Sequence, residues 1–224
     1  MIPYLALSDT ALFTQLNPTE IEQLLTAMKA EIKYYQKDEM IVYEQNEVHE
    51  LGIIISGTAI SSKLNILGKE IIVTHHHSGG YSALLTALSI QRKCPMSIRA
   101  LEPLTMLSIP RENLFTYYPE QTRVHQLFLS NLFDSVAERA LELHDRNDCL
   151  IMPTVREKVL TLLSSIAKEK QTTSFTIPFN REEMAQYLDV DRSALSRELS
   201  AMQKDGIITF HKNFFEIKSK TILR

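Results

Sequence analysis

Hydrophobic positions change their period along the chain, and each change predicts a different kind of element. Residues 10–30 read as helical. Asn17-Pro18-Thr19-Glu20 is a start signal, with a capping side chain, a proline for the first turn and an acidic residue behind it. Ile21, Leu24, Leu25 and Met28 then recur at helical spacing. From about 32 to 110 the pattern shortens into runs that suit strands, at 32–35, 40–43, 51–56, 59–64, 70–74, 97–101 and 105–109. Gln36-Lys37-Asp38, Ser56-Gly57, the stretch 65–68 and Glu102-Pro103 supply turns between them. Many short strands at near-regular spacing predict a barrel or sandwich, interrupted by a short helix within 81–88.

A long helix is predicted over about 120–145. Val124, Leu127, Phe128, Leu129, Leu132, Phe133, Val136, Ala137, Ala140, Leu141 and Leu143 cover more than one stripe of it. A helix apolar on two sides is buried on two sides. One side is read as lying on the barrel and the other as meeting the same helix of a second subunit; a core helix of a single chain is the alternative. The polar run His144-Asp145-Arg146-Asn147-Asp148 is read as a hinge. A helix over 155–167, a polar loop over 168–174 and a strand over 175–179 follow.

Composition narrows the class without naming it. With 44% hydrophobic and 23% charged residues in 224, six glycines and eight prolines, the chain suits a soluble globular protein of one or two domains. No apolar run reaches membrane-spanning length, and the first ten residues lack the features of a secretory signal. Cys94 and Cys149 form neither a CxxC pair nor a disulfide framework, and the expected location is the cytoplasm. Residues 150–224 carry 12 Lys and Arg against 9 Asp and Glu, whereas the rest is acidic. A basic tail suits contact with a polyanion.

The stretch 180–208 carries the most specific chemistry. Asn180-Arg181-Glu182-Glu183 matches a capped helix start, and Met184, Ala185 and Leu188 give that helix a buried face. Asp189-Val190-Asp191 makes a tight turn, and Asp191 caps a second helix, 192–204. On it Leu195, Leu199 and Met202 fall within about 60° of one another at 100° per residue. Ser193, Ser196, Arg197, Ser200 and Lys204 lie opposite. An exposed row of hydroxyls and cations is what a helix needs to enter a major groove. Arginine takes guanine O6 and N7 with a bidentate bond, and serine accepts from or donates to a base edge or phosphate. Asp205-Gly206 ends the helix, and 207–209 and 214–217 read as the strands of a wing around His211-Lys212-Asn213. A helical hairpin with a merely solvated polar face is the alternative.

The segment Arg192-Ser193-Ala194-Leu195-Ser196-Arg197-Glu198-Leu199, followed by Met202 and Asp205-Gly206-Ile207-Ile208, resembles the winged helix-turn-helix of the Crp/Fnr family of bacterial regulators. The upstream order resembles the family too. The resemblance implies an α+β chain: a cyclic-nucleotide-binding-type β-roll (jelly-roll) sensor domain at 1–118, a dimerisation helix and hinge at 119–147, and a winged helix-turn-helix domain at 148–224. It implies a homodimer that reads two half-sites of a palindromic double-stranded DNA, with RNA polymerase as a further candidate partner and no membrane. The expected DNA-contacting residues are Arg181, Arg192, Ser193, Ser196, Arg197, Ser200 and Lys212. Many members carry Glu at the place of Ser193, so a different preferred site is expected.

The resemblance is weaker in the sensor. Members that bind cyclic AMP hold its phosphate with a Gly-Glu pair and an Arg-Ser pair. Here Ser82-Ala83 and Cys94-Pro95 stand at those places. A phosphodiester buried without a guanidinium is poorly compensated, and Pro95 removes a backbone donor. The effector is therefore expected not to be cyclic AMP, and to be apolar or small if one exists. Its candidate pocket comprises Gly80, Tyr81, Ser82, Cys94, Ser97, Leu132 and Val136. The cysteines are too few for an iron–sulfur cluster. His75-His76-His77 is the oddity: His75 and His77 share a strand face, but no further ligand set is evident, so no metal or haem is assigned to them. Cys94 is read as a structural thiol, with a redox role as the alternative.

Three functions compete at this stage. The first is a DNA-binding transcription regulator and not an enzyme, with no catalytic residue assigned. The second is a small-molecule, haem or metal sensor module acting through protein partners. The third is a metal-dependent enzyme built on the histidine triplet of a cupin-like barrel. The cations of 180–212 favour the first.

Overall fold

The computed structural model describes residues 4–68 and 70–218. The chain divides between Glu138 and Arg139 into two units, each with its own core.

In the first unit, helix α1 (Tyr4–Leu7), a 3-10 turn (Ala11–Phe13) and helix α2 (Pro18–Ala27) precede the strands. The single helix expected over 10–30 is thus broken, with Gln15 at φ +65° ahead of α2. Its start signal works as read: the Asn17 side chain accepts from the Glu20 amide, and the Glu20 carboxylate accepts from the Asn17 amide. Then come β1 (Glu31–Tyr35), β2 (Met40–Val42), β3 (Glu50–Ser56), β4 (Ala59–Leu64), β5 (Glu70–His76), β6 (Tyr81–Ser82), helix α3 (Leu84–Leu88), β7 (Ser97–Ala100), β8 (Leu104–Pro110) and helix α4 (Arg111–Leu114). Every strand predicted from the pattern is present; β6 is additional.

The strands pair antiparallel in two sheets, ordered β1-β8-β3-β6 and β2-β7-β4-β5. Strands β3 and β8 are covered on both faces, so buried residues follow one another along them rather than alternating. Leu51, Ile53, Leu107 and Ile109 join Ile21, Leu24 and Phe128 in one cluster. Ile54, Leu104 and Met106 turn the other way, to meet Ala59, Ile98 and Ala100 of the facing sheet and Cys94 of the segment before β7. Gly52 leaves room on that side: a Cβ there would lie 2.5 Å from the Met106 sulfur.

Helix α5 (Thr122–Leu150) follows. Val124, Phe128 and Leu132 are buried on it, whereas Phe133 is 67% and Leu141 57% exposed. The run 144–148, read from its polarity as a hinge, is helical. Polarity alone does not stop a helix, and His144 and Asp148 form an i,i+4 pair at 3.8 Å. The helix stops instead ahead of Pro153, whose ring disfavours helical backbone at the residue before it.

The second unit contains helix α6 (Val155–Glu169), β9 (Ser174–Thr176), helices α7 (Arg181–Tyr187) and α8 (Arg192–Lys204), and strands β10 (Ile208–His211) and β11 (Phe214–Ile217) in the order β10-β11-β9. Thr154 and Glu157 form a capping box on α6. Strand β9 ends sooner than the predicted 175–179, before Pro178, which has no amide to give a ladder.

Gly57, at φ +87° between β3 and β4, is fixed by more than backbone freedom: a Cβ would stand 2.6 Å from the Pro103 carbonyl oxygen. Gly57→Ala is expected to destabilise the first unit by more than about 1 kcal/mol, read as a shift of its denaturation midpoint.

Candidate nucleic-acid interface

Two adjacent capped helices build the site. The Asn180 carboxamide oxygen accepts from the Glu182 and Glu183 amides at 2.9 and 3.0 Å, and the Glu183 carboxylate accepts from the Asn180 amide at 2.8 Å. Asp189 turns the chain at φ +50°. The Asp191 carboxylate then accepts from the Ser193 and Ala194 amides at 2.8 and 3.0 Å.

The roll of α8 about its axis is set from within. Leu195, Leu199 and Met202 are fully buried, in one cluster with Val159, Leu163, Met184, Leu188 and Phe215. Arg156 of α6 donates to Glu198 of α8 at 2.5 Å and pairs with Asp205, the residue that caps α8, at 2.7 Å, so both carboxylates are paired. Ser193, Ser196, Arg197, Ser200 and Lys204 are all exposed, as their spacing predicts.

The structure separates the expected contact residues by what their polar groups already do. Among the described residues, the Ser196 hydroxyl and the side-chain cations of Arg197, Lys204 and Lys212 have no hydrogen-bond or ion-pair partner. Arg192 is loosely held, 3.6 Å from Glu182 with both side chains exposed. Ser200 donates its hydroxyl proton to the Ser196 carbonyl. Ser193 donates its own to Asp191 at 2.5 Å. That bond, followed by those from the Ala194 and Ser193 amides, lowers the Asp191 pKa below its ordinary value. Its contribution to stability is accordingly present above the usual carboxylate range and lost as pH falls through the lowered value.

Arg181 differs most from expectation. Its guanidinium lies over the rings of Phe210 (5.2 Å) and Phe215 (5.7 Å) and donates to the Lys212 carbonyl at 3.1 Å. Burial, and then the charge of Arg192, lowers its pKa. Arg181 therefore fastens the wing turn, where Lys212 sits at φ +54°. Nothing local in the sequence announces this, because its aromatic partners lie some thirty residues downstream.

The expected effector residues are not gathered on one face. Tyr81 packs in the cluster of Leu132 and Val136, and its hydroxyl lies 2.7 Å from that of Ser135 on α5. Ser135 donates to the Asn131 carbonyl, so Tyr81 is the donor of the pair. Ser82 is buried one residue on and so faces the other way, towards the side of the sheet where Cys94 packs. Gly80 pairs with Ile54, and the Ser97 hydroxyl accepts from the Glu44 amide. An open groove of about 640 Å³ in this unit is lined instead by residues such as Thr19, Gln23 and Tyr118, and by none of these. His75 and His77 stack at 6.4 Å, while His76 turns to the Ser61 hydroxyl at 2.6 Å. Among the described residues no group of three or more His, Cys, Asp or Glu side chains is placed to hold a metal ion. In the second unit, burial, then Asp145 and Asp148, pushes the Cys149 thiol up to about 11.

Residues 32–119 match the model of the cyclic nucleotide-binding domain, and residues 157–224 that of the Crp-like helix-turn-helix domain. The chain is 38% identical over 64 residues to the transcriptional activator protein FnrL of Cereibacter sphaeroides, a match that covers 25% of this chain and about a quarter (26%) of that protein. It is similar in fold to FixK2 from Bradyrhizobium japonicum (20% identity, TM-score 0.54, 87% of this chain and 95% of that one). It is similar also to the catabolite activator protein of Thermus thermophilus (22%, 0.54, 96% of each) and to the c-di-GMP responsive global regulator CLP of Xanthomonas campestris (15%, 0.60, 91% and 100%). A β-roll of the cyclic nucleotide-binding type followed by a winged helix-turn-helix defines a class of two-domain regulators. The chain belongs to that class as a member of the Crp/Fnr family.

If Arg181 fastens the wing, Arg181→Ala will raise amide hydrogen exchange at residues 210–215, and Arg181→Lys, which lacks the planar fork, will not restore it.

Proposed function

We propose that the protein is a homodimeric, sequence-specific DNA-binding transcription regulator whose effector is not cyclic AMP. The observation that carries the reading is the division of α8: an apolar stripe wholly buried, and an opposite side on which the exposed Ser196 hydroxyl and Arg197 guanidinium make no hydrogen bond or ion pair among the described residues. In this reading α8 enters the major groove. Arg197 reads a guanine, Ser196 a base edge or phosphate, and Arg192, Ser200 and Lys212 lie along the backbone.

Dimerisation rests on α5. Phe133, Ala137, Ala140 and Leu141 are exposed at helical spacing, and an apolar stripe of that length calls for a partner helix. The case against cyclic AMP rests on Cys94, which is buried among apolar side chains where the family's phosphate-binding members carry a guanidinium. An anion placed against that apolar cluster would lack the guanidinium, with Lys93 next in the chain as the cation that could substitute for it.

Selection from a randomised duplex library is the test. A palindrome with half-sites about one helical turn apart is expected, with affinity that falls steeply as salt rises. Arg197→Ala should weaken binding to the selected duplex by about 1–3 kcal/mol. Wild-type affinity in that variant, measured by gel shift, would remove Arg197 from the reading. Phe133→Glu should shift the dimer to monomer in sedimentation and weaken operator binding with it; an unchanged sedimentation coefficient would place the dimer contact elsewhere.

A further inference from the structure

The hydroxyl of Ser193 has one proton and two lone pairs. The proton is committed: it points at Asp191 Oδ1, 2.5 Å away, in a charge-assisted bond about twice as strong as a neutral one. The carboxylate is itself held in place by the amides of Ser193 and Ala194, so the acceptor does not swing away. What Ser193 has left to offer outward is lone pairs. The residue is exposed in the first turn of α8, the part of a recognition helix that reaches base edges.

We infer that Ser193 is a one-way reader, an obligate acceptor that selects bases carrying an amino group in the major groove, with Asp191 as the positioning residue that fixes this polarity. This rests on the DNA-binding reading above. Adenine N6 and cytosine N4 are the amino donors of the major groove, whereas guanine O6 and thymine O4 are acceptors. An acceptor-only hydroxyl therefore separates A or C from G or T on the strand it faces, and does not separate A from C. A hydroxyl free to rotate makes no such distinction. Ser200 also spends its proton, on the Ser196 carbonyl, but it lies two turns further along the helix; Ser196 keeps its own.

The test is library selection with the full-length protein, run on wild type, Ser193→Ala and Asp191→Gly. Both substitutions are on the surface, and glycine is a tolerated cap that costs little. At the base position whose preference disappears in Ser193→Ala, the wild type is expected to favour A or C over G or T by roughly two- to tenfold, the worth of one neutral hydrogen bond. Positions that respond to Arg197→Ala should be unaffected. Asp191→Gly should admit G and T at that same position and leave the others as they were; a merely structural role for Asp191 would weaken all positions together. Enrichment of G or T by the wild type, an unchanged profile in Ser193→Ala, or an Asp191→Gly profile identical to wild type overturns the assignment and leaves the DNA-binding reading standing. Failure of the folded wild type to enrich any duplex overturns that reading, and this inference with it.

Discussion

Burial of Leu195, Leu199 and Met202 is the interaction on which the proposed activity depends. Removing a side chain of this size from water contributes roughly 1.5–3 kcal/mol. The polar side of α8 contributes nothing comparable to stability. A roll of one residue position, about 100°, would expose the stripe and drive Ser196 or Arg197 inward. The direction in which the polar side looks is therefore a product of the core, and the core of this unit is assembled from α6, α7, α8 and the strands together.

Around that stripe the charged groups divide their labour. Arg156 satisfies Glu198 and Asp205, which keeps those carboxylates from facing a polyanion. Arg181 is engaged with the wing, where two aromatic faces and a carbonyl offset its partial desolvation. Arg197, Lys204 and Lys212 are left unspent. A guanidinium with no partner among the described residues retains all its donors for a ligand. On this view the count of cations in the domain says less than the record of which are already engaged.

The caps at Asn17, Asn180 and Asp191 were legible in the sequence because each is decided within four residues. The same holds for the strands, whose apolar runs are set by what covers them, and for the two sides of α8. The features that escaped are tertiary. Strand β6 is two residues long and exists only because β3 lies beside it. The run 144–148 has the composition of a linker but the length and pairing of a helix. Arg181 carries the charge expected of a phosphate contact, yet its place is decided by rings beyond residue 209. Ser193 lies between these cases: Asp two residues ahead of Ser is a visible pattern, but the direction of the proton needs the rotamer.

The Tyr81–Ser135 bond links strand β6 of the β-roll to the long helix, and it has a polarity of its own. Since Ser135 has already given its proton to the Asn131 carbonyl, it is the phenol that donates across this contact. A displacement of β6 by an ångström or so would strand a half-buried hydroxyl unless the helix moved with it. The β-roll thus carries a tether whose slack is no longer than one hydrogen bond.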